Sequence, residues 1–159
     1  MQLGFASGSC DVITLWEVLE HLPDPMRGLL ECARVLRRGG LLAARTVTVE
    51  SWGARLFGPC WVGYDAPRIL FVFSRRTLQQ FLFRAGFEII HIGYPFLDFY
   101  PFLWSFINLC DIHIMSPMLR RLLTSLVGSW PARLLSSPFF ALQSLLKGDS
   151  FVTVVARKV

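Results

Sequence analysis

The sequence predicts an α/β domain that begins with a strand, a helix and a second strand. Residues 10–15 form a short run rich in Val and Ile after a Gly-Ser turn, which is typical of a buried strand. Asp24 is suited to cap a helix and Pro25 to occupy its first position. Residues 41–47 predict the second strand. The short links between these elements favour a parallel crossover unit.

Further elements follow from the same signals. Arg37 and Arg38 are placed in the last turn of the first helix, where they would complement its dipole, and Gly39-Gly40 would end it. Ser74 predicts the cap of a second helix that ends at Gly86. Residues 87–94 and 151–156 predict a third and a fourth strand. Residues 50–73 are expected to be irregular and aromatic.

The composition is unusually apolar for a single domain. Hydrophobic residues make up 53% and charged residues 17%, with a mean hydropathy of +0.49. The excess apolar surface requires a second subunit, a missing part of the same domain, a membrane surface or an apolar ligand pocket. The net charge is +5, but the basic residues are scattered, so no nucleic-acid partner is expected.

The four cysteines indicate reduced thiols. They are Cys10, Cys32, Cys60 and Cys110, and no two form a C-x-x-C pair. Neither a structural zinc site nor a disulfide framework is therefore expected, and a cytoplasmic protein is predicted. Uncharged stretches in the C-terminal third are shorter than the ~20 residues that a spanning helix needs.

Residues 95–148 form an apolar segment before the last strand. Ser116-Pro117 and Ser137-Pro138 each predict the start of a helix. Three interpretations stay open: a helical subdomain with its own core, a lid over a lipid or polyprenyl substrate, or a surface that lies on a membrane. In the third interpretation the headgroups would be met by basic side chains, namely Arg120, Arg121, Arg133 and Lys147.

Residues 11–25 carry a motif that points to a family. The stretch reads D-V-I-T-L-W-E-V-L-E-H-L-P-D-P. It resembles class I S-adenosylmethionine-dependent methyltransferases, especially the branch with ubiquinone and related O-methyltransferases. Residues 34–41, 61–68 and 84–87 resemble later parts of that family, in order and at its spacing. The resemblance covers residues 3–94 and the last strand, which divides the chain into 1–94 with 149–159 and an insert over 95–148.

The resemblance implies a Rossmann-like sheet of order 3-2-1-4-5-7-6. This chain would supply strands 4-5-7-6, with the last strand antiparallel. The family's glycine-rich turn approaches the cofactor after its first strand, and the sequence contains no G-x-G-x-G motif. We therefore expect a fragment that lacks the first, cofactor-binding half, or a chain that another chain completes.

The family's site residues fall mainly on the motif. Trp16 and Glu17 correspond to positions that touch S-adenosylmethionine, although Trp16 is equally well explained as a core residue. Glu17, Glu20 and His21 are spaced i, i+3 and i+4, which on one helical turn puts them on a single face. Related quinone O-methyltransferases use matching residues for magnesium, so Mg²⁺ is a second candidate cofactor. The alternative is that Glu20 and His21 bond to nearby backbone at a helix start.

His21 is also a candidate general base. Its unperturbed pKa lies near neutrality, which suits proton transfer from a substrate hydroxyl. Many relatives need no base, because alignment of the nucleophile provides most of the catalysis. A substrate loop is expected over Trp61, Tyr64 and Arg68, and Ile69 stands where the family has histidine.

Two functions are compatible with these patterns. The first is methyl transfer, by in-line displacement, to a small or lipophilic acceptor, in a cytoplasmic protein for which peripheral membrane contact stays open. The second is a non-catalytic half-domain that binds a partner or a second copy through the exposed edge of its first strand. In both, the chain by itself is expected to bind S-adenosylmethionine weakly and to be inactive.

Overall fold

The computed structural model describes residues 4–94, 98–114 and 116–159, which form two compact units. The first unit comprises Met1–Thr48, Ala66–Gly93 and Phe151–Val159, and the second comprises Val49–Asp65 and Tyr94–Ser150. The strands lie in the first unit. The described elements are β1 (Cys10–Trp16), α1 (Pro25–Val35), β2 (Leu36–Val47), α2 (Trp52–Phe57), α3 (Arg75–Arg84), β3 (Phe87–Gly93), α4 (Phe99–His113), α5 (Pro117–Gly128), α6 (Trp130–Leu145) and β4 (Phe151–Lys158).

The described strands form one mixed sheet in the order β1-β2-β4-β3. β1 runs parallel to β2, with Leu15 opposite Ala44, whereas β4 runs antiparallel to both β2 and β3. Alternate residues of β2 and β4 are buried, among them Leu42 and Val154. The predicted α/β class, the strand order 4-5-7-6 and the antiparallel last strand are thereby confirmed.

The two helices of the first unit begin as their capping residues predict. Asp24 Oδ1 accepts a 2.9 Å hydrogen bond from the backbone N–H of Arg27 at the start of α1. Ser74 Oγ accepts from the backbone N–H of Thr77 at 3.1 Å at the start of α3. Each side chain satisfies one of the donors that a helix N-terminus leaves without an intrahelical partner.

The end of α1 differs from the prediction. The helix ends at Val35, and Arg37 and Arg38 lie in β2 instead of the last helical turn. Leu36 is fully buried with an extended backbone, and Arg37 forms an ion pair with Asp11 of β1. Burial of a leucine side chain and strand pairing outweigh the few tenths of a kcal/mol that a surface cation gains from a helix dipole.

The predicted helix start at Ser137-Pro138 is wrong. Both residues lie inside α6, which begins at Trp130 with Ser129 as its cap. Pro138 has no N–H to donate to the carbonyl of Leu134, and the Ser137 hydroxyl donates to that oxygen at 2.8 Å instead. This replacement explains why the helix continues through a proline.

Two helices of the second unit were not predicted. α2 lies in the segment that was expected to be irregular, and Ser51 caps it by accepting from the backbone N–H of Ala54 at 2.9 Å. α4 is apolar around most of its circumference and therefore lacks the periodic pattern that marks an amphipathic helix. None of the described helices has both the length and the hydropathy to cross a bilayer.

Candidate functional site

The carboxyl ends of β1 and β2 lie side by side in the first unit. Trp16 pairs with Arg45 at the end of the parallel ladder, and the chain then leaves β1 through Glu17. Beyond β2, Thr48 forms a parallel bridge with Phe73. In open α/β sheets, ligands bind outside the carboxyl ends of the strands, so this edge is the candidate site.

Glu17 departs from the predicted helical turn. Its φ is 54°, in the left-handed region, and the short 3-10 turn that follows covers only Leu19–His21. The backbone N–H of Glu17 donates to the Arg45 carbonyl at 2.8 Å, which ends the strand pairing. Glu17 Oε1 lies 3.5 Å from Arg45 Nε, an ion pair that does not have hydrogen-bond geometry. Glu17 is thus outside the helical turn in which it was placed with Glu20 and His21.

Trp16 and Glu17 are accessible at this edge. Trp16 has 53% of its surface exposed, so it is not a core residue in the described chain. The Glu17 side chain is about half exposed. An exposed indole beside a carboxylate can contact the ring and the cationic part of a ligand, through stacking and charge respectively.

Glu20 is buried and joins three segments of the first unit. Its Oε2 accepts a 2.8 Å hydrogen bond from Thr46 Oγ1 of β2. Its backbone carbonyl accepts from the N–H groups of Leu70 and Phe71 at 2.8 and 3.2 Å. Burial raises the pKa of this carboxyl, and the Thr46 hydrogen bond partly opposes the rise. These contacts favour a role in holding the edge together.

His21 is exposed and held by one ring nitrogen. Nδ1 lies 2.5 Å from the backbone carbonyl of Arg68, an oxygen that can only accept. Nδ1 must therefore carry the proton and donate. In the neutral ring, this leaves Nε2 as the nitrogen with the lone pair, which is the arrangement a general base needs.

The described residues give no support to a magnesium site. No group of three or more His, Cys, Asp or Glu side chains within residues 4–94, 98–114 and 116–159 could hold a metal ion. Glu20 is bonded to the Thr46 side chain and His21 to the Arg68 backbone. These partners lie 26 and 47 residues away along the chain, so they are not the nearby backbone groups of a helix start that the alternative named.

The expected substrate loop is divided between the two units. Arg68 is exposed in the first unit, and Trp61 and Tyr64 belong to the second. Trp61 is 1% exposed, packs edge-to-face on Tyr64 at 4.9 Å, and donates from Nε1 to Ser150 Oγ at 3.4 Å. Tyr64 is exposed, so of these two rings it is the one that a ligand can reach.

The second unit contains a cavity that the sequence did not reveal. Its volume is about 390 Å³, and it is lined by Trp52, Gly53, Arg55, Leu56, Asp98, Phe102, Phe139, Gln143 and Ser150. The buried Asp98 Oδ2 accepts from Gln143 Nε2 at 2.7 Å and from Ser150 N and Oγ at 2.9 and 2.8 Å. Residues from four separate segments meet here, a convergence that periodicity in the sequence does not signal.

A neighbouring carboxyl in the same unit is also buried. Asp149 has no exposed surface, and its Oδ1 accepts from Ser144 Oγ at 2.6 Å. Burial raises its pKa to about 6; the Ser144 hydrogen bond opposes this rise and the charge of Asp98 adds to it. Asp149 therefore gains or loses its proton in a pH range in which most aspartates are already ionised.

Comparison with known proteins places the chain in a class. Over 98–99% of its length it matches solved methyltransferase structures, among them an S-adenosylmethionine-dependent methyltransferase from Thermotoga maritima with a TM-score of 0.59 and 17% identity, covering 60% of that chain. At this identity the likeness shows the fold. The fold is that of the class I S-adenosylmethionine-dependent methyltransferases.

The family follows from the sequence match. The family model for a methyltransferase domain matches residues 1–92, more than half of the chain, and the protein belongs to that family. A ubiquinone biosynthesis O-methyltransferase from Xanthomonas oryzae pv. oryzae is 46% identical over 64 residues, which are 39% of this chain and 27% of the relative. A tRNA U34 carboxymethyltransferase from Chromohalobacter salexigens is 33% identical over 75 residues, 47% of this chain and 22% of the relative. The matched region thus spans about a quarter of these curated relatives.

Proposed function

We propose that this chain contributes to S-adenosylmethionine-dependent methyl transfer at the carboxyl edge of β1 and β2. The observation that carries the proposal is the parallel pairing of Trp16 with Arg45 inside the region that matches the methyltransferase domain. This pairing brings the residues after β1 to the edge where α/β sheets bind ligands.

The residues present fit one side of the cofactor. The exposed Trp16 ring and the half-exposed Glu17 carboxylate would contact it, and the negative charge of Glu17 suits a cationic sulfonium. The G-x-G-x-G turn that would approach the rest of the cofactor is not in the printed sequence. We propose that this turn belongs to a segment outside these residues, which the partial coverage of the relatives supports.

His21 is the proposed proton acceptor. When bound, S-adenosylmethionine supplies an electrophilic methyl group. The Arg68 carbonyl holds His21 Nδ1–H, so Nε2 would take the proton that an acceptor hydroxyl loses. Arg68, exposed in the same unit, would bind an anionic group of the acceptor or brace its loop. A magnesium role at Glu17, Glu20 and His21 receives no support from the geometry and forms no part of the proposal.

We propose a small or lipophilic molecule as the methyl acceptor. A relative named as a ubiquinone biosynthesis O-methyltransferase and the 53% of hydrophobic residues in this chain support the proposal. Tyr64 and Trp61 are retained as proposed loop residues, with Tyr64 the accessible one.

Calorimetric titration with S-adenosylmethionine tests the proposal. The 159-residue chain should bind the cofactor weakly. A longer protein that also includes the residues encoded upstream should bind it at least tenfold more tightly. In the longer protein, Glu17→Gln should weaken binding about fivefold, because an exposed charge contact is worth about 1 kcal/mol. Glu88→Gln, which changes an exposed carboxylate on β3, is the matched control and should leave binding unchanged.

Two outcomes would contradict it. Micromolar binding of S-adenosylmethionine by the 159-residue chain alone would show that its cofactor site is already complete. Absence of binding by the longer protein, under conditions where it is folded, would refute methyl transfer itself.

A second candidate function rests on the edge of the sheet. β1 has a partner on one side only in the described sheet, and Val12 has 55% of its surface exposed. A free apolar edge pairs readily with another strand, so the chain would act as a non-catalytic module that dimerises through β1. Sedimentation equilibrium tests this: a dimer that Val12→Lys converts to a monomer would favour the module, and a monomeric wild-type chain would exclude it.

A further inference from the structure

Helices α5 and α6 expose an unusual amount of apolar surface in the second unit. No residue of α5 is buried, and most leucines of α6 are at least half exposed. We call this set the α5–α6 apolar surface; its members are Met118, Leu119, Leu122, Leu126, Trp130, Leu134, Leu135, Leu142 and Leu145. Isolated exposed apolar residues are ordinary, but nine on two successive helices are more than scattered exposure explains, and large exposed apolar patches mark interaction sites.

The apolar residues follow helical spacing. On α5, Met118, Leu122 and Leu126 are four residues apart and lie along one stripe. On α6, Trp130 and Leu134 begin a second stripe that Leu145 continues near the end of the helix. Met118 is 84% exposed and Trp130 is 71% exposed, so these stripes do not form the core of the unit.

The segment of residues 112–148, which contains α5 and α6, carries Lys and Arg side chains but no acidic ones. Residues 112–148 contain Arg120, Arg121, Arg133 and Lys147 and no Asp or Glu. Arg120 is paired at 2.9 Å with Asp111, which lies just before the segment. Arg121 and Lys147 are exposed. A partner for this surface must therefore accept apolar side chains and complement positive charge.

Arg133 shows how a cation is arranged beside an apolar stripe. Its guanidinium lies 5.1 Å from the Phe99 ring and 5.2 Å from the Tyr100 ring, and Nη1 donates to the Tyr100 hydroxyl at 3.3 Å. These contacts hold the charge next to the start of α6. Helices that lie in a bilayer interface combine Trp and Leu on one face with Lys and Arg beside it.

We propose that the α5–α6 apolar surface docks on a bilayer that contains anionic lipid, with both helices in the interface. A second copy that docked through the same helices would bring Arg121, Arg133 and Lys147 against their own counterparts, and this like-charge repulsion opposes self-association. The anionic bilayer satisfies both requirements of the surface. This inference goes beyond methyl transfer and is tested without cofactor.

Vesicle co-sedimentation of the 159-residue chain tests the proposal. Vesicles of phosphatidylcholine and phosphatidylglycerol in equal parts should bind the chain at least tenfold more tightly than phosphatidylcholine alone, and added salt should weaken the binding. The double variant Leu135→Ser/Leu145→Ser should lose about tenfold or more in affinity, because both side chains are exposed and would enter the bilayer. Arg121→Gln/Lys147→Gln should lose the preference for anionic lipid.

The matched control is Phe83→Ser. Phe83 is 81% exposed on α3 of the first unit, so its replacement should leave vesicle binding unchanged. Thermal denaturation confirms that each variant remains folded. Equal binding by wild type and the double leucine variant would overturn the proposal, as would absence of binding to the anionic vesicles. Self-association that the leucine variant abolishes, without vesicle binding, would assign the surface to a second copy instead.

Discussion

Thr46 Oγ1 donates a 2.8 Å hydrogen bond to Glu20 Oε2, and both side chains are almost fully buried. The bond links the end of β2 to the 3-10 turn that follows β1. Through its backbone carbonyl, Glu20 also holds Leu70 and Phe71. The candidate edge of the sheet thus depends on one buried residue, whose side-chain carboxyl bonds to β2 and whose backbone carbonyl bonds to Leu70 and Phe71.

Thr46→Val should destabilise the protein by about 1–3 kcal/mol, since it leaves a buried acceptor without its donor at nearly constant side-chain shape. It should also raise the pKa of Glu20 further, because the Thr46 hydrogen bond lowers that pKa. Chemical denaturation measures the first effect. Thr153→Val, a partly buried threonine of β4, is the matched control, and an equal loss there would show that the hydrogen bond contributes nothing specific.

The neutral ring of His21 should carry its single N–H proton on Nδ1 and leave Nε2 without one. The reason is that Nδ1 donates to the Arg68 carbonyl. Two-dimensional NMR of a ¹⁵N-histidine-labelled chain distinguishes the two tautomers, and His91 and His113 provide internal references. Arg68→Ala should leave the result unchanged because the acceptor is backbone. Protonation at Nε2 would remove the basis for His21 as a proton acceptor.

Stability should fall as the pH rises from about 4 to about 6. Burial raises the folded-state pKa of Asp149 to about 6 from its ordinary value of 3.8, so the folded protein retains a proton that the unfolded chain releases in this window. The stabilising contribution is complete below the unfolded pKa and lost above the folded one, and each pKa unit is worth about 1.4 kcal/mol.

Asp149→Asn should flatten this pH dependence, because the side chain stays neutral and its oxygen can still accept from Ser144. Denaturation midpoints recorded across the window measure the slope. Asp111→Asn, at a half-exposed carboxylate of the same unit, should preserve the slope. A wild-type slope in Asp149→Asn would assign the effect to another group.

Gly148→Ala should destabilise the second unit by about 1–3 kcal/mol. A Cβ at position 148 would lie 2.6 Å from two ring atoms of Trp52, which would have to move and reshape the cavity that it lines. At Gly128 a Cβ would meet Leu103 at an ordinary 3.7 Å, so Gly128→Ala should keep or slightly raise the melting temperature. Equal melting temperatures for the two variants would contradict the crowding at Trp52.

The fold was predictable where local chemistry decides it. Asp24, Ser74 and Ser116 cap helices as expected, and β1 and β2 pair in parallel. Ser129-Trp130-Pro131 and Ser137-Pro138 carry equivalent start signals, and only the first begins a helix. The sequence could not choose between them, because the hydroxyl that compensates for Pro138 is visible only in three dimensions.

The sequence identified residues of the candidate site, but it did not predict how they are arranged in space. The motif located Glu20 and His21, but their partners lie 26 and 47 residues away along the chain. The left-handed backbone of Glu17 broke the helical spacing on which the magnesium hypothesis depended. Long-range hydrogen bonds and a single unusual φ value leave no periodic trace in a sequence.

The position of β4 constrains how the sheet forms during synthesis. β4 lies between β2 and β3 and hydrogen-bonds to both, yet it leaves the ribosome after them. Until residues 151–158 emerge, β2 and β3 have no strand between them, and the edges that they present are open to nascent-chain chaperones. Since most pairings of this sheet join residues distant along the chain, its completion is expected to be slow.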